Sequence, residues 1–180
     1  MSSSPSDKRE KLIICGPSGA GKDHLQGQMV RMGLRFQPKV TTRPMRAGEQ
    51  NGREYEFVTE EAYDIMLGSG SVRTHQSFEV GGRRWYYAIT RSNFESNQVF
   101  IMTPGEIAQL TEEERKACFV VYLAIDEQVR LGRVDKRNDQ NDSIARRFLA
   151  DRKDFEGFAD YDMKVTDPEL DPSLVYDLMA

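Results

Sequence analysis

The stretch LIICGPSGAGKDHL, Leu12–Leu25, decides the fold. Leu12 to Cys15 is an apolar run of buried-strand type ending at Gly16, and Leu25, Met29 and Met32 then recur at helical spacing until Gly33 offers a stop. The order is strand, glycine-rich loop, helix. Glycines at 16, 19 and 21 let the backbone turn so that successive N–H groups face inward, and the helix adds the positive end of its dipole. A loop of this kind receives phosphate oxygens. Lys22 stands where it neutralises a transferring phosphoryl group, and the strand before and helix after supply the context this motif requires.

Asp23 follows, where such loops usually carry Ser or Thr. An acid in a first helical turn complements the dipole by about 0.3–1 kcal/mol. Beside a triphosphate the balance changes, because two like charges about 4 Å apart repel by about 4 kcal/mol at an effective dielectric of 20. An intervening cation removes that repulsion. Mg²⁺ prefers hard oxygen ligands, so Asp23 is the expected metal ligand and the loop is expected to work.

Outward from the loop, 180 residues are enough for one domain with small insertions. The formal charge of −4 gives no basic footprint for a nucleic-acid backbone. No apolar run reaches the roughly 20 residues of a membrane helix, and MSSSPSDKRE, residues 1–10, reads as a disordered tail without the apolar stretch of a signal peptide. The expectation is a cytoplasmic protein with two buried thiols, Cys15 and Cys118. From Lys39 to about Thr90 the chain turns polar, aromatic and Gly-punctuated, which predicts short strands, one helix from about Thr59, and an inserted substrate subdomain. Val99–Met102 and Phe119–Ile125 read as buried strands of a parallel sheet with a helix over Ile107–Lys116 between them. Asp126–Lys136 and Ser143–Phe155 read as Arg-rich helices, and Met163–Val165 and a Leu174–Met179 helix close the chain.

The second constellation is TTRPMRAGEQNGREYEFV, Thr41–Val58. Arg43 and Arg46 flank a proline, and Tyr55 follows a Gly-containing turn. Two guanidinium forks with phenol donors suit a phosphate monoester, whose charge and oxygens both need partners. Here the chain resembles the guanylate kinase family, whose pattern GPSGxGKS, TTRxxRxGExxGxxYxF, a Tyr-Tyr pair and an Arg-bearing lid is matched in order through most of the sequence. The middle motif fits at Thr41, Thr42, Arg43, Arg46, Gly48, Glu49, Gly52, Tyr55 and Phe57. The resemblance implies an α/β fold: a P-loop NTPase core with a parallel sheet flanked by helices (11–36, 91–128 and 156–180), a β-rich acceptor-binding subdomain (37–90) and a helical lid (129–155). It implies transfer of a phosphoryl group from ATP, with Mg²⁺, to a nucleoside monophosphate, GMP or dGMP by default, by a monomer or homodimer. Gly16, Ser18, Gly19, Ala20, Gly21, Lys22, Asp23 and Arg133 are then the ATP-binding set, and Lys22, Arg43, Arg137 and Arg147 the catalytic cations. Arg43, Arg46, Tyr55 and Tyr86 would hold the acceptor phosphate.

The chain departs from the family where the base is read. Thr74 stands at the position of a family Glu that accepts guanine N–H donors, with Glu79 as a candidate substitute. Ala88 and Ile89 follow the Tyr-Tyr pair, with Thr90 one position late. In IMTPG, Met102 and Thr103 replace a family acid. Lys39, just before the TTR motif, offers a cation to the acceptor. Base specificity is therefore expected to be altered. The GKD loop also resembles that of ribose 1,5-bisphosphokinases, so a sugar-phosphate kinase stands as the alternative enzyme. A guanylate-kinase-like binding module without catalysis is a third reading, opposed by Lys22 and the intact glycines.

Overall fold

The computed structural model describes residues 9–134 and 143–179. They divide into two units: the described residues up to Leu34 together with those from Gln98 onward, and Arg35–Asn97.

The first unit is built on a parallel sheet in the order β6 (Val99–Ile101), β1 (Lys11–Cys15), β7 (Cys118–Leu123), β8 (Met163–Val165). Central β1 carries Leu12, Ile13, Ile14 and Cys15 with no exposed surface, because a strand covered on both faces needs a continuous apolar run rather than alternation. Register follows, with Leu12 between Val99 and Phe119. Cys15 and Cys118 are buried thiols in no disulfide among the described residues. Around this sheet lie α1 (Lys22–Arg31), α4 (Pro104–Ile107), α5 (Glu112–Lys116), α6 (Glu127–Val134), α7 (Ile144–Phe155) and α8 (Pro172–Met179).

The sequence differs from its structure here in two places. The helix expected over Ile107–Lys116 is two short helices, because TPGE and TEEE each close a capping box: Thr103 with Glu106, and Thr111 with Glu114. At the start of the chain, residues 1–8 of the expected tail lie outside the described residues, while Arg9 and Glu10 are tied down. The Glu10 N–H donates to Ala117 O at 3.1 Å, and Arg9 pairs with Asp162.

The second unit is a sheet in the order β3 (Glu56–Phe57), β2 (Val40–Thr41), β5 (Arg83–Thr90), β4 (Val72–Val80), with β2 and β3 parallel and the remaining pairs antiparallel. Helix α2 (Glu60–Gly68) starts at Thr59, whose side chain accepts from the Ala62 N–H. Its Tyr63 packs with Val72 and Ala88 in a small core. The unit continues through α3 (Arg91–Ser96) to Asn97. Thr90 caps α3, while Asn93 and Asn97 donate side-chain hydrogen bonds to the carbonyls of Pro38 and Gln37. Those bonds tie α3 back to the start of the same unit.

Candidate active site

In the first unit the loop after β1 is shaped by close approach. A Cβ on Gly16 would lie 2.9 Å from Leu123 O, and one on Gly19, at φ 77°, would lie 2.7 Å from Arg130 O. Only glycine fits either place. Gly21, at φ 99°, is the N-cap of α1 and brings no side-chain cap, so the first-turn N–H groups keep their capacity for an anion.

Two arginines of α6 hold the outside of the loop by its carbonyls. Arg130, 7% exposed, donates from Nη1 to Ser18 O at 3.1 Å and from Nε to Ile125 O at 3.0 Å. Arg133 donates to Gly19 O at 3.3 Å and Ala20 O at 3.4 Å. With these carbonyls turned to the arginines, the N–H groups of Gly19 and Gly21 face the other way, the arrangement that collects phosphate oxygens, while the Ala20 N–H donates to Pro17 O at 3.1 Å. Lys22 Nζ donates to Gly16 O at 2.6 Å and Pro17 O at 3.0 Å. Burial pushes its ammonium below the ordinary value, against the opposing pull of Asp23 and Asp151. Asp23 lies exposed in the first turn of α1.

A contact from α7 completes the loop: the Ser18 N–H donates to Asp151 Oδ2 at 2.8 Å. Arg147, on the same helix, is half-buried, and Arg137 lies outside the described residues, as do the residues expected to join the two Arg-rich helices.

The second unit contains the arginine pair. Arg43, 3% exposed, meets Glu49 fork to fork, with Nη1 to Oε2 at 3.0 Å and Nη2 to Oε1 at 2.7 Å. Glu49 Oε2 also accepts the Arg46 N–H at 2.7 Å. Burial alone would raise the Glu49 carboxyl, but the Arg43 bonds and the Arg46 N–H outweigh it and hold the group below its ordinary value. Burial works against the Arg43 charge too, and the Glu49 bonds reverse the outcome. Arg46 shifts the other way: burial and the neighbouring Arg43 charge lower it, against the pull of Tyr87, Glu49 and Tyr55. Rings line the pair. The Arg43 guanidinium lies 5.3 Å from the centroids of both Tyr55 and Phe57, and Tyr55 meets Tyr87 edge-on at 5.6 Å. Two arginines beside phenol rings, one of them pre-oriented by a carboxylate, have the charge and the directional donors that suit a phosphate monoester.

Strand alternation sorts the remaining candidates. The register pairs Thr74 with Ile89 and Gln76 with Tyr87, placing Thr74 and Tyr87 on one face of the sheet. His75 with Ala88, Ser77 with Tyr86 and Glu79 with Arg84 occupy the other. Tyr86 is therefore not beside Tyr55; its ring stacks on Tyr63 at 4.7 Å, and Tyr87 is the tyrosine at the arginines. Glu79 is likewise removed from Thr74, being exposed and 3.9 Å from Arg84. Thr103, in the first unit, spends its hydroxyl as the N-cap of α4. Thr74 itself is fully buried, and its hydroxyl has no hydrogen-bond partner among the described residues. Lys39 is half-buried, and its carbonyl accepts the Glu56 N–H at 2.8 Å. Sequence reasoning missed Glu49, Tyr87, Arg130 and Asp151 as site residues. Glu49 and Tyr87 lay inside quoted motifs; for Arg130 and Asp151 no local signal distinguished them from other charges on helical surfaces.

A parallel sheet with this loop at the end of its central strand defines a P-loop α/β nucleotide-binding fold. A family model described as guanylate kinase matches residues 8–176. The guanylate kinase of Koribacter versatilis is 33% identical over 161 residues, 84% of this chain and 68% of that protein. That of Alkalilimnicola ehrlichii is 27% identical over 177 residues, 93% of this chain and 85% of that one. Among solved structures, the guanylate kinase from Anaplasma phagocytophilum superposes with a TM-score of 0.70 at 18% identity, covering 96% of this chain and 85% of that one, and shares the fold. The chain belongs to the guanylate kinase family and is a nucleoside monophosphate kinase. This does not favour the sugar-phosphate kinase or the binding module. Among the described residues, no helix is long and apolar enough to cross a membrane.

Proposed function

We propose that the chain transfers the γ-phosphoryl group of ATP to the phosphate of GMP, with the loop at Gly16–Asp23 as donor site and Arg43, Arg46, Tyr55 and Tyr87 as receptor for the acceptor phosphate. The observation that carries this reading is the Arg43–Glu49 fork. A buried guanidinium aimed by a carboxylate, with a second arginine beside it, sets two cations against one carboxylate and leaves net positive charge for a dianionic phosphate. Catalysis of this kind is positioning and charge neutralisation. Loop N–H groups hold the donor phosphates, Lys22 moves from the loop carbonyls to the transferring group, and Arg133 with Arg147 adds positive charge from α6 and α7. Arg137 is proposed in the same role on sequence grounds alone. Residues 37–90 act as the acceptor-binding subdomain and 129–155 as the lid, and Lys39 adds a cation at the acceptor.

The donor set fits Mg²⁺. The described residues contain no cluster of three potential ligands, and Mg²⁺ in phosphoryl-transfer sites is held by one or two carboxylates plus phosphates and water. Asp23 would supply that carboxylate, and the ion would neutralise charge between the donor phosphates. Thr74 is the polar group offered to the acceptor base in place of an acid. A hydroxyl both donates and accepts, so selectivity for guanine is reduced. The protein acts in the cytoplasm as a monomer or homodimer.

The test is a panel of GMP, dGMP, AMP, CMP, UMP and ribose 1,5-bisphosphate with ATP and Mg²⁺ in a coupled ADP-release assay. GMP turnover with a shallow spread across bases is expected. Turnover of ribose 1,5-bisphosphate alone, or of none, overturns the reading.

A further inference from the structure

The loop amide nearest its arginine-held edge is bonded to a side chain from far along the chain. Ser18 N–H donates to Asp151 Oδ2 at 2.8 Å, across 133 residues of sequence. The carboxylate is not a stray surface group. Its side chain is 17% exposed and lies 3.9 Å from Arg130 Nη1, the same nitrogen that donates to Ser18 O. Helix α7, which carries it, is fixed at three points: Arg152 bonds Glu127 at 2.5 and 3.2 Å, Phe148 lies under the Arg130 guanidinium at 4.7 Å, and Phe155 stacks on Tyr122 at 5.4 Å.

We propose that Asp151 is a built-in competitor of the donor nucleotide: its carboxylate takes an anion position on the phosphate-binding loop, and the donor binds only by displacing it. The inference rests on the reading of that loop as the donor site. The N–H groups of such a loop form one anion receptor, and the Asp151 carboxylate on the Ser18 N–H makes a charge-assisted bond of the same kind as a phosphate oxygen. A polyphosphate entering the loop meets a fixed negative charge and one amide already engaged. Asp151 thus lowers donor affinity and favours release of nucleotide product. A purely architectural role for the contact, holding the loop in shape for phosphate, predicts the opposite sign when the charge is removed.

The experiment compares wild type with Asp151→Asn and Asp151→Ala, measuring binding of ADP and of inorganic pyrophosphate by calorimetry, with thermal melts to verify folding. The Asn amide oxygen still accepts the Ser18 N–H, so loop geometry is kept while the charge is removed. Both variants are expected to bind both probes about tenfold more tightly, equivalent to about 1.4 kcal/mol. In turnover, KM for ATP should fall while KM for the acceptor is unmoved. Unchanged or weaker binding in folded Asp151→Asn overturns the proposal. Should both variants lose the fold, the ¹³C carboxyl resonance of Asp151 in wild type decides: it must move on saturation with pyrophosphate, and a stationary resonance overturns the proposal. Wild type and variants alike failing to bind ADP would defeat the kinase reading and this inference with it. A wild type that binds ADP, with variants that gain nothing, defeats this inference alone.

Discussion

Glu49 offers the sharpest test of how the acceptor receptor is held together. Glu49→Ala removes both bonds to Arg43, at 3.0 and 2.7 Å, and the acceptor of the Arg46 N–H at 2.7 Å. It leaves the Arg43 side chain, 2% exposed, without its counter-charge. Removing one partner of a buried pair costs about 3–5 kcal/mol. Glu49 is itself 15% exposed and water reaches the vacated position, so the low end applies, about 3 kcal/mol. In a chain of this size that is a fall of roughly 6–12 °C in Tm. Deleting both charges should be milder: Arg43→Met with Glu49→Ala leaves no orphaned ion and should recover stability relative to Glu49→Ala alone. Thermal melts of the four proteins in the cycle measure this, and turnover adds a second axis, because Glu49→Ala should raise KM for the acceptor and leave KM for ATP alone. The pH dependence has a definite sign. A carboxyl held below its ordinary value of 4.5 contributes stability above that value and loses it as pH falls through the lower folded value, so the wild-type advantage over Glu49→Gln should vanish in acid. A double variant no more stable than Glu49→Ala would refute the orphaned-charge argument.

Lys22→Ala should reduce phosphoryl transfer by about 10²–10³ with an unchanged melt, since among the described residues its ammonium bonds the loop carbonyls of Gly16 and Pro17; activity within about threefold of wild type would sink the kinase assignment of the loop. Asp23→Asn should raise the Mg²⁺ concentration needed at fixed ATP and Asp23→Ser should restore much of the activity, whereas superimposable titrations would remove Asp23 from the metal. Cys118, whose thiol burial pushes up to about 11, should resist alkylation at pH 8 in the folded protein and react on unfolding; rapid labelling of the native state would contradict its place in the sheet.

The parts of this molecule that were legible are those whose cause is local. The strand, loop and helix at Lys11–Arg31 follow from an apolar run, glycines at strained turns and a helical repeat, all within one window. The two capping boxes were equally readable as TPGE and TEEE, yet the alignment of Thr103 with a base-reading position hid its ordinary use as a cap. Tyr86 and Glu79 failed for another reason. Adjacent strand residues face opposite sides, and motif matching along a strand does not say which side bears the arginines until the register of β4 on β5 and β5 on β2 is known.

Arg130 and Asp151 were invisible because their meaning is a contact with Ser18, 112 and 133 residues away. Helical arginines and aspartates are usually solvated, and no spacing rule separates those two from Arg146 or Asp154. Once the contact is known, the two proposed anion receptors are alike in plan and opposite in consequence. In the second unit a carboxylate binds the arginine, holding a cation for the acceptor phosphate proposed there. In the first, arginines bind the loop carbonyls and a carboxylate binds the loop N–H, so the anion stands among the donors themselves. Removing Glu49 should therefore weaken the acceptor, and removing the Asp151 charge should strengthen the donor. That opposition of sign follows from where each carboxylate sits and not from its identity.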